Sequence, residues 1–225
     1  MRMSQVIAPV QKRIAESEGT LLFRSLRLLC LIFCRIYFRI EFKGLENVPR
    51  EGPVILAANH ESYADPVWLS IPFPYPLRYM TWSEVFKVPL LGSLIRALGA
   101  FPVKIEGAGD RSALRTSLQH LKDKGTLVIF PEGGRTRTGQ IMPFKFGVIR
   151  LALDTDAVIV PVSIIGGYRA FGPHHWIPRP HKIKIIYHRP VYLPPPPSDT
   201  ESKDYLQQQA TNIQTIISSG MDSDH

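Results

Sequence analysis

At 225 residues the chain is long enough for one sizeable core and a small appendage, and its 44% hydrophobic content excludes a disordered chain. A net charge of +8 and a pI near 9.6 call for an anionic partner: phosphate, anionic lipid or nucleic acid. No zinc-finger or RNA-binding aromatic motif occurs, which sets nucleic acid aside. Cys30 and Cys34 make no disulfide framework, so a reducing, cytosolic environment is expected.

Residues 1–19 are polar and mixed in charge, carry no secretory-signal pattern, and read as a frayed or helical arm. From Thr20 to Phe42 the chain is rich in Leu, Ile, Phe and Tyr, interrupted by Arg24, Arg27, Arg35 and Arg39. The longest uncharged apolar run, Leu28 to Cys34, is far short of the roughly 20 residues a spanning helix needs. At about 100° per residue the four arginines share an arc of about 120°. Leu22, Leu26, Leu29, Cys30, Phe33 and Tyr37 lie opposite. This pattern predicts a helix lying in a membrane interface, apolar face down and arginines among anionic headgroups. A helix docked on its own domain would show the same wheel.

Ile40 to Lys43 reads as a short strand, Gly44 to Gly52 as a loop, and Val54 to Ala58 as a buried strand. The proline-dense stretch Ile71 to Pro76 is a loop, and Arg78 to Trp82 a strand. Leu90 to Leu98 reads as a short helix ended by Gly99, and Phe101 to Ile105 as a strand. Arg111 to Lys124 is a helix with Leu114, Leu118 and Leu121 on one face, stopped by Gly125. Thr126 to Phe130 is a strand, Val148 to Leu153 a helix, Ala157 to Val162 a strand, and Lys182 to Tyr187 a half-buried one. The prolines Pro194 to Pro197 form a stiff spacer. Ser198 with Glu201 then caps a last helix from Lys203 to Ile217, with Leu206, Ala210, Ile213 and Ile217 along one face.

The alternation of strands and helices implies a single α/β domain with a largely parallel or mixed sheet flanked by helices. An N-terminal amphipathic membrane-contacting helix is added to it. The expected division is 1–42 for the polar arm and amphipathic helix, 43–193 for the α/β domain, and 194–225 for the spacer and C-terminal helix.

Two stretches carry chemistry. The first is Asn59-His60-Glu61-Ser62-Tyr63-Ala64-Asp65-Pro66, where a buried strand hands over to a helix, the place where α/β proteins put their sites. In one regular helix His60 and Asp65 would point about 140° apart. If the helix starts after His60, the bend can turn the imidazole back over the first turn. Ser62 with Asp65 resembles a capping box, and Asp65 with Pro66 resembles an N-cap followed by proline. Either places a carboxylate where it fixes the tautomer of His60 and raises its basicity. A plain helix cap and a hydrogen-bonded loop histidine are the alternatives.

The second stretch, Phe130-Pro131-Glu132-Gly133-Gly134-Arg135-Thr136-Arg137, follows a strand directly. Its glycines let backbone N–H groups approach an anion, and Arg135 and Arg137 can grip phosphate oxygens. It lacks the Gly-Lys-Ser/Thr ending of a Walker loop. A polar hairpin with solvated charges is the alternative.

Together these stretches resemble the glycerolipid acyltransferases. Asn59-His60 through Asp65 matches that family's His-x-x-x-x-Asp block, and Phe-Pro-Glu-Gly-Gly-Arg its Phe-Pro-Glu-Gly-Thr/Ser-Arg block. Gly99 to Lys104 looks like the intervening block and Val160-Pro161-Val162 like the last, apolar one. The likeness is greatest to the bacterial and plastid-type 1-acylglycerol-3-phosphate acyltransferases. Gly134 stands where the family has Thr or Ser, and Ile105 where it has Arg, leaving Lys104 as the nearest cation.

The resemblance implies transfer of a fatty acyl group from acyl-CoA or acyl carrier protein to the free hydroxyl of 1-acylglycerol-3-phosphate, giving phosphatidic acid. His60 would be the general base and Asp65 its orienting partner. Gly133 and Gly134 would supply oxyanion donors. Arg135 with Lys104 would hold the acceptor phosphate, and Glu132 would position Arg135 or a substrate hydroxyl. No cofactor is implied beyond the thioester co-substrate, and no cluster has metal-ligand spacing. A lipid acceptor implies a membrane-associated protein at the cytoplasmic face. Another lysolipid, an amino-acid-based lipid, or a non-catalytic lipid-binding role are the alternatives. So is a nucleophilic route through Ser62, around which no Gly-x-Ser-x-Gly elbow is built.

Overall fold

A computed structural model describes residues 21–75, 77–82, 100–103, 111–196 and 203–222. The expected helix at Leu90 to Leu98, Lys104, and the Ser198–Glu201 cap lie outside the described residues, as does the N-terminal arm.

Val54 to Ala58 is five apolar residues bounded by proline and a polar stretch, and it forms strand β2 (Val54–Ala58), buried at every position. Burial on both sides is possible because side chains alternate between faces. Val54, Leu56 and Ala58 enter one core, while Ile55 and Ala57 enter the other. The other strands are β1 (Glu41–Lys43), β3 (Arg78–Trp82), β4 (Ala100–Val103), β5 (Thr126–Ile129), β6 (Val158–Ile165) and β7 (Lys184–Tyr187). They form a seven-stranded sheet in the order β1-β7-β6-β2-β5-β3-β4. Every pairing is parallel except β6 with β7, so the sheet is mixed.

This order positions the site. β2 lies between β5 and β6, parallel to both, with Leu56 opposite Val128 and Val160. The C-terminal ends of these three central strands therefore open at one edge, where the chain leaves β2 toward one side of the sheet and crosses back over it between β5 and β6. Pro161 is accommodated in β6 because its carbonyl accepts from His188, just beyond the end of β7. The missing N–H is thus lost at the end of a ladder rather than inside one.

Helices α3 (Arg111–Lys122), α4 (Gly147–Thr155) and α6 (Lys203–Asp222) cover one face of the sheet. Leu206, Ala210, Ile213 and Ile217 of α6 are all fully buried, as their spacing requires. The expected face of α3 is corrected. Leu114 is exposed, and the buried line is Ala113, Ser117 and Leu121 at i, i+4 intervals. Ser117 is admitted because its hydroxyl donates to the Ala113 carbonyl at 2.8 Å. The helix also stops differently. Lys124, not Gly125, takes the left-handed conformation, at φ 62°, and Gly125 is small because the His120 ring fills the space its side chain would need.

The opposite face is covered by α1 (Leu21–Tyr37) and α2 (Asp65–Ser70). The wheel of α1 divides otherwise than expected. Cys30, Leu31, Cys34, Tyr37 and the following Phe38 pack against the domain's core. Arg27 turns inward with them and donates to the Ile71 carbonyl at 3.0 Å. It is therefore not one of a set of four headgroup-facing arginines. Leu28, Leu29, Ile32, Phe33 and Ile36 remain exposed. Setting Arg24 at zero, they span from about 40° to 180°, whereas the docked residues span from about 220° to 340°. The helix carries two apolar faces, and the domain uses only one. Among the described residues no helix is long and apolar enough to cross a membrane.

Candidate active site

The chain after β2 is held before it becomes helix. Asn59 is buried and extends the ladder with its side chain, accepting from Ile164 N at 2.7 Å and donating to Ile164 O at 2.9 Å. α2 begins only at Asp65, preceded by Ala64 with no side-chain cap. Of the two expected capping arrangements, the Ser62–Asp65 pair keeps the box's return bond from Ser62 N to Asp65 Oδ2, with Ser62 Oγ accepting from Ala64 N, whereas Asp65 is not itself an N-cap. The Asp65 carboxylate instead reaches backwards, where Oδ2 accepts from Glu61 N at 2.7 Å, Ser62 N at 2.8 Å and His60 Nδ1 at 2.8 Å. Local backbone donors thus aim the acid at the imidazole, bringing together two side chains that one regular helix would hold apart.

Asp65 is 0% exposed and the His60 side chain 17%. The open nitrogen of His60 is Nε2, because Asp65 engages Nδ1 and so selects the Nδ1–H tautomer. The ring stacks on Phe130 at 4.0 Å between centroids.

The loop after β5 grips the same residue by its backbone. His60 N donates to Glu132 Oε1 at 2.6 Å, and Thr136 N donates to the His60 carbonyl at 2.9 Å. Met142 N takes the other oxygen of Glu132 at 2.8 Å. Both Glu132 oxygens are therefore engaged in joining the two loops. Burial pushes its carboxyl above the usual range, partly offset by these two donors. Thr136 is buried and its hydroxyl accepts from Thr138 N and Gly139 N, folding the loop back. Gly133 takes φ 75°, a conformation that favours glycine, and donates to Phe130 O. Beyond it Gly134 has open space around its Cα.

Arg135 lies with its guanidinium carbon 3.6 Å from the centre of the Tyr63 ring, and its Nη1 is buried without a hydrogen-bond partner. A cation held over an aromatic face is pre-positioned. Arg137 is exposed. Ser62 is enclosed: its hydroxyl donates to Phe171 O at 2.9 Å and accepts from Ala64 N at 3.0 Å, with no surface exposed. That leaves no approach for an acyl-enzyme at Ser62.

The end of β6 supplies a third element that sequence reading missed, the five-residue α5 (Gly167–Phe171). Tyr168 N donates to Glu61 Oε2 at 3.0 Å, and Tyr168 OH to Arg137 O at 2.8 Å, so α5 ties both loops. A side chain at Gly167 would sit 3.1 Å from Glu61 Oε2 and 3.2 Å from Asp65 Oδ1. The Gly166-Gly167 pair after an apolar strand was the available signal. Burial, with the Asp65 charge adding to it, raises the Glu61 carboxyl to about 8 against the pull of the Tyr168 and Gly167 amides. Burial thus favours the protonated form of Glu61 beside the Asp65–His60 pair.

A carboxyl whose folded value is raised binds its proton more tightly in the native state. Glu61 therefore stabilises most below about 4.5, and this contribution is lost as pH rises toward about 8, at roughly 1.4 kcal/mol per pH unit. Glu61→Gln keeps an acceptor for Tyr168 N but has no proton to lose. Its thermal stability relative to wild type is expected to climb across that interval and level off above it. A flat difference in denaturation midpoints from pH 5 to 8 would remove Glu61 as the source.

With the geometry in place, the sequence can be set against known proteins. A family model described as Acyltransferase matches residues 39–165, more than half of the chain. The chain belongs to this acyltransferase family. The match spans β1 to β6 and includes His60, Asp65, Glu132 and Arg135. A 1-acyl-sn-glycerol-3-phosphate acyltransferase of Bacillus subtilis is 30% identical over 157 residues, covering 68% of this chain and 74% of that protein. A chloroplastic enzyme of the same name from Brassica napus is 24% identical over 159 residues, 69% of this chain and 46% of that one. The chain thus spans less than half the length of this plant relative. The crystal structure of the 1-acyl-sn-glycerophosphate acyltransferase of Thermotoga maritima superposes with a TM-score of 0.67 at 26% identity, over 88% of this chain and 79% of that one. The mixed α/β domain is therefore that of this acyltransferase.

Proposed function

We propose that this acyltransferase moves a fatty acyl group from a thioester, coenzyme A or acyl carrier protein, to the free hydroxyl of 1-acylglycerol-3-phosphate. The observation that carries the reading is the His60 Nδ1 to Asp65 Oδ2 bond of 2.8 Å beside an aromatic-seated arginine with an unpartnered donor. Nε2 of His60 removes the hydroxyl proton as the oxygen attacks the thioester carbonyl. Asp65 stabilises the imidazolium that results. The carbonyl oxygen becomes an oxyanion and is met by the amide of Gly134, since the Gly133 N–H is already bonded to Phe130 O. Collapse breaks the carbon–sulfur bond, and the imidazolium proton passes to the departing thiolate. The products are an ester and a free thiol. Arg135 holds the acceptor phosphate, with Lys104 as the second cation. The acceptor is a lipid, so the enzyme works at a membrane surface, expected at the cytoplasmic face.

Purified protein offered a panel of lysolipids with acyl-CoA or acyl carrier protein, followed by product mass spectrometry, tests the assignment. Phosphatidic acid as the main product supports it. Preference for a lysolipid without a terminal phosphate, or for an amino-acid-based acceptor, would replace it.

Arg135→Ala is expected to raise the KM for lysophosphatidic acid by roughly 10- to 100-fold, the loss of one charge-assisted contact, with a smaller effect on the donor. Tyr63→Leu, which removes the ring beneath the guanidinium, should raise the same KM by a smaller factor. A raised donor KM with an unchanged acceptor KM in Arg135→Ala would make Arg135 a donor contact.

A further inference from the structure

We infer that the loop carrying Trp176 and Ile177 is a second membrane-inserting element, set beside α1 and next to the mouth of the active site. The occupant of this surface is an anionic lipid bilayer, and the inference rests on the membrane-surface reading above.

Trp176 is 98% exposed and Ile177 75%, at the tip of the loop between α5 and β7. Side chains this exposed cover none of the domain's core. The base of the loop is fixed against α1, where the Tyr37 hydroxyl donates to the Pro178 carbonyl at 2.9 Å. Tyr37 borders the exposed apolar arc of α1, since its ring stacks on the exposed Phe33 at 5.2 Å. The loop therefore continues the surface of Leu28, Leu29, Ile32, Phe33 and Ile36 that the domain leaves uncovered. Its other end leads back to the site. Phe171, where the loop begins, lies 5.3 Å from Tyr63, the residue beneath Arg135.

Charge selects the partner. No Asp or Glu occurs from Gly19 to Ile40 or from Gly166 to Lys182. Those two segments hold Arg24, Arg27, Arg35, Arg39, Arg169, Arg179 and Lys182, of which Arg27 is turned inward and Lys182 pairs with Glu41. Exposed apolar side chains with predominantly cationic flanks fit an anionic headgroup layer over hydrocarbon, and a tryptophan suits the interface itself.

The test uses the full chain and vesicles of phosphatidylcholine mixed with phosphatidylglycerol, with and without brominated acyl chains. Subtracting the Trp176→Phe protein isolates the Trp176 fluorescence. Vesicles are expected to shift this component to the blue, and brominated lipid to quench it. The Trp176→Ser/Ile177→Ser protein should bind the vesicles roughly tenfold more weakly, from the apolar area it no longer buries. It should turn over a monomeric short-chain lysolipid at the wild-type rate. Vesicle binding with the Trp176 component unshifted and unquenched would overturn the inference, as would unchanged affinity in the double variant or no vesicle binding at all. Quenching of Trp176 by a protein that fails to acylate lysophosphatidic acid would instead uphold this surface and remove the acceptor assignment.

Discussion

His60→Ala is expected to abolish acyl transfer while leaving the fold intact. Loss of a positioned general base costs roughly 10²- to 10⁴-fold in rate, and no other imidazole among the described residues is paired with a carboxylate at this edge of the sheet. The fold should tolerate the change, because the loop is held through the backbone of residue 60. Its N–H bonds to Glu132 and its carbonyl to Thr136 N, and both remain in the alanine variant. The stacking contact with Phe130 is lost, which lowers the melting temperature only modestly. Single-turnover acylation and thermal melting, measured on the same preparation, separate the two effects. Near-normal turnover in a folded His60→Ala protein would sink the assignment of the base.

Asp65→Asn should come next in size, and comparison with Asp65→Ala divides chemistry from structure. The asparagine side-chain oxygen can still accept from Glu61 N and Ser62 N. The same oxygen position also faces His60 Nδ1, so the tautomer can still be held, but a neutral amide cannot stabilise an imidazolium as a carboxylate does. A fall in kcat of roughly 10²- to 10⁴-fold with an intact fold is expected, the range that general-base catalysis contributes and an unsupported imidazolium forfeits. Asp65→Ala additionally strands two buried backbone N–H groups, at about 1–3 kcal/mol each, and should be markedly less stable. An Asn variant within tenfold of wild-type kcat would reduce Asp65 to a loop-organising residue.

The strands that build the site were legible because their composition leaves little choice. β2 and β3 were read from sequence with the boundaries the structure gives them, and the apolar stripe of α6 with the residues it buries. Of the α3 leucines Leu121 is buried and Leu118 packs against the core, but Leu114 is exposed and the small Ala113 and Ser117 fill the buried line in its place. α5 was missed because five residues containing glycine carry no periodicity; it is ordered by its bonds to Glu61 and Arg137. Only the fold brings Arg135, distant in sequence, over the Tyr63 ring.

By itself the sequence determined the residue types of the site, their order, and the strand ends from which they emerge, because these are properties of short contiguous stretches. Which partner each group takes is a property of three strand ends meeting, and only the tertiary structure decided it. Glu132 is given to His60 N and Met142 N, Ser62 is closed off by Phe171, and Glu61 is buried against α5. The same distinction governs α1. Its sequence specifies an apolar helix with arginines, but a helical wheel has no direction until something packs on it. Docking through Cys30, Cys34 and Tyr37 turned one apolar face to the domain and left the other, from Leu28 to Ile36, exposed.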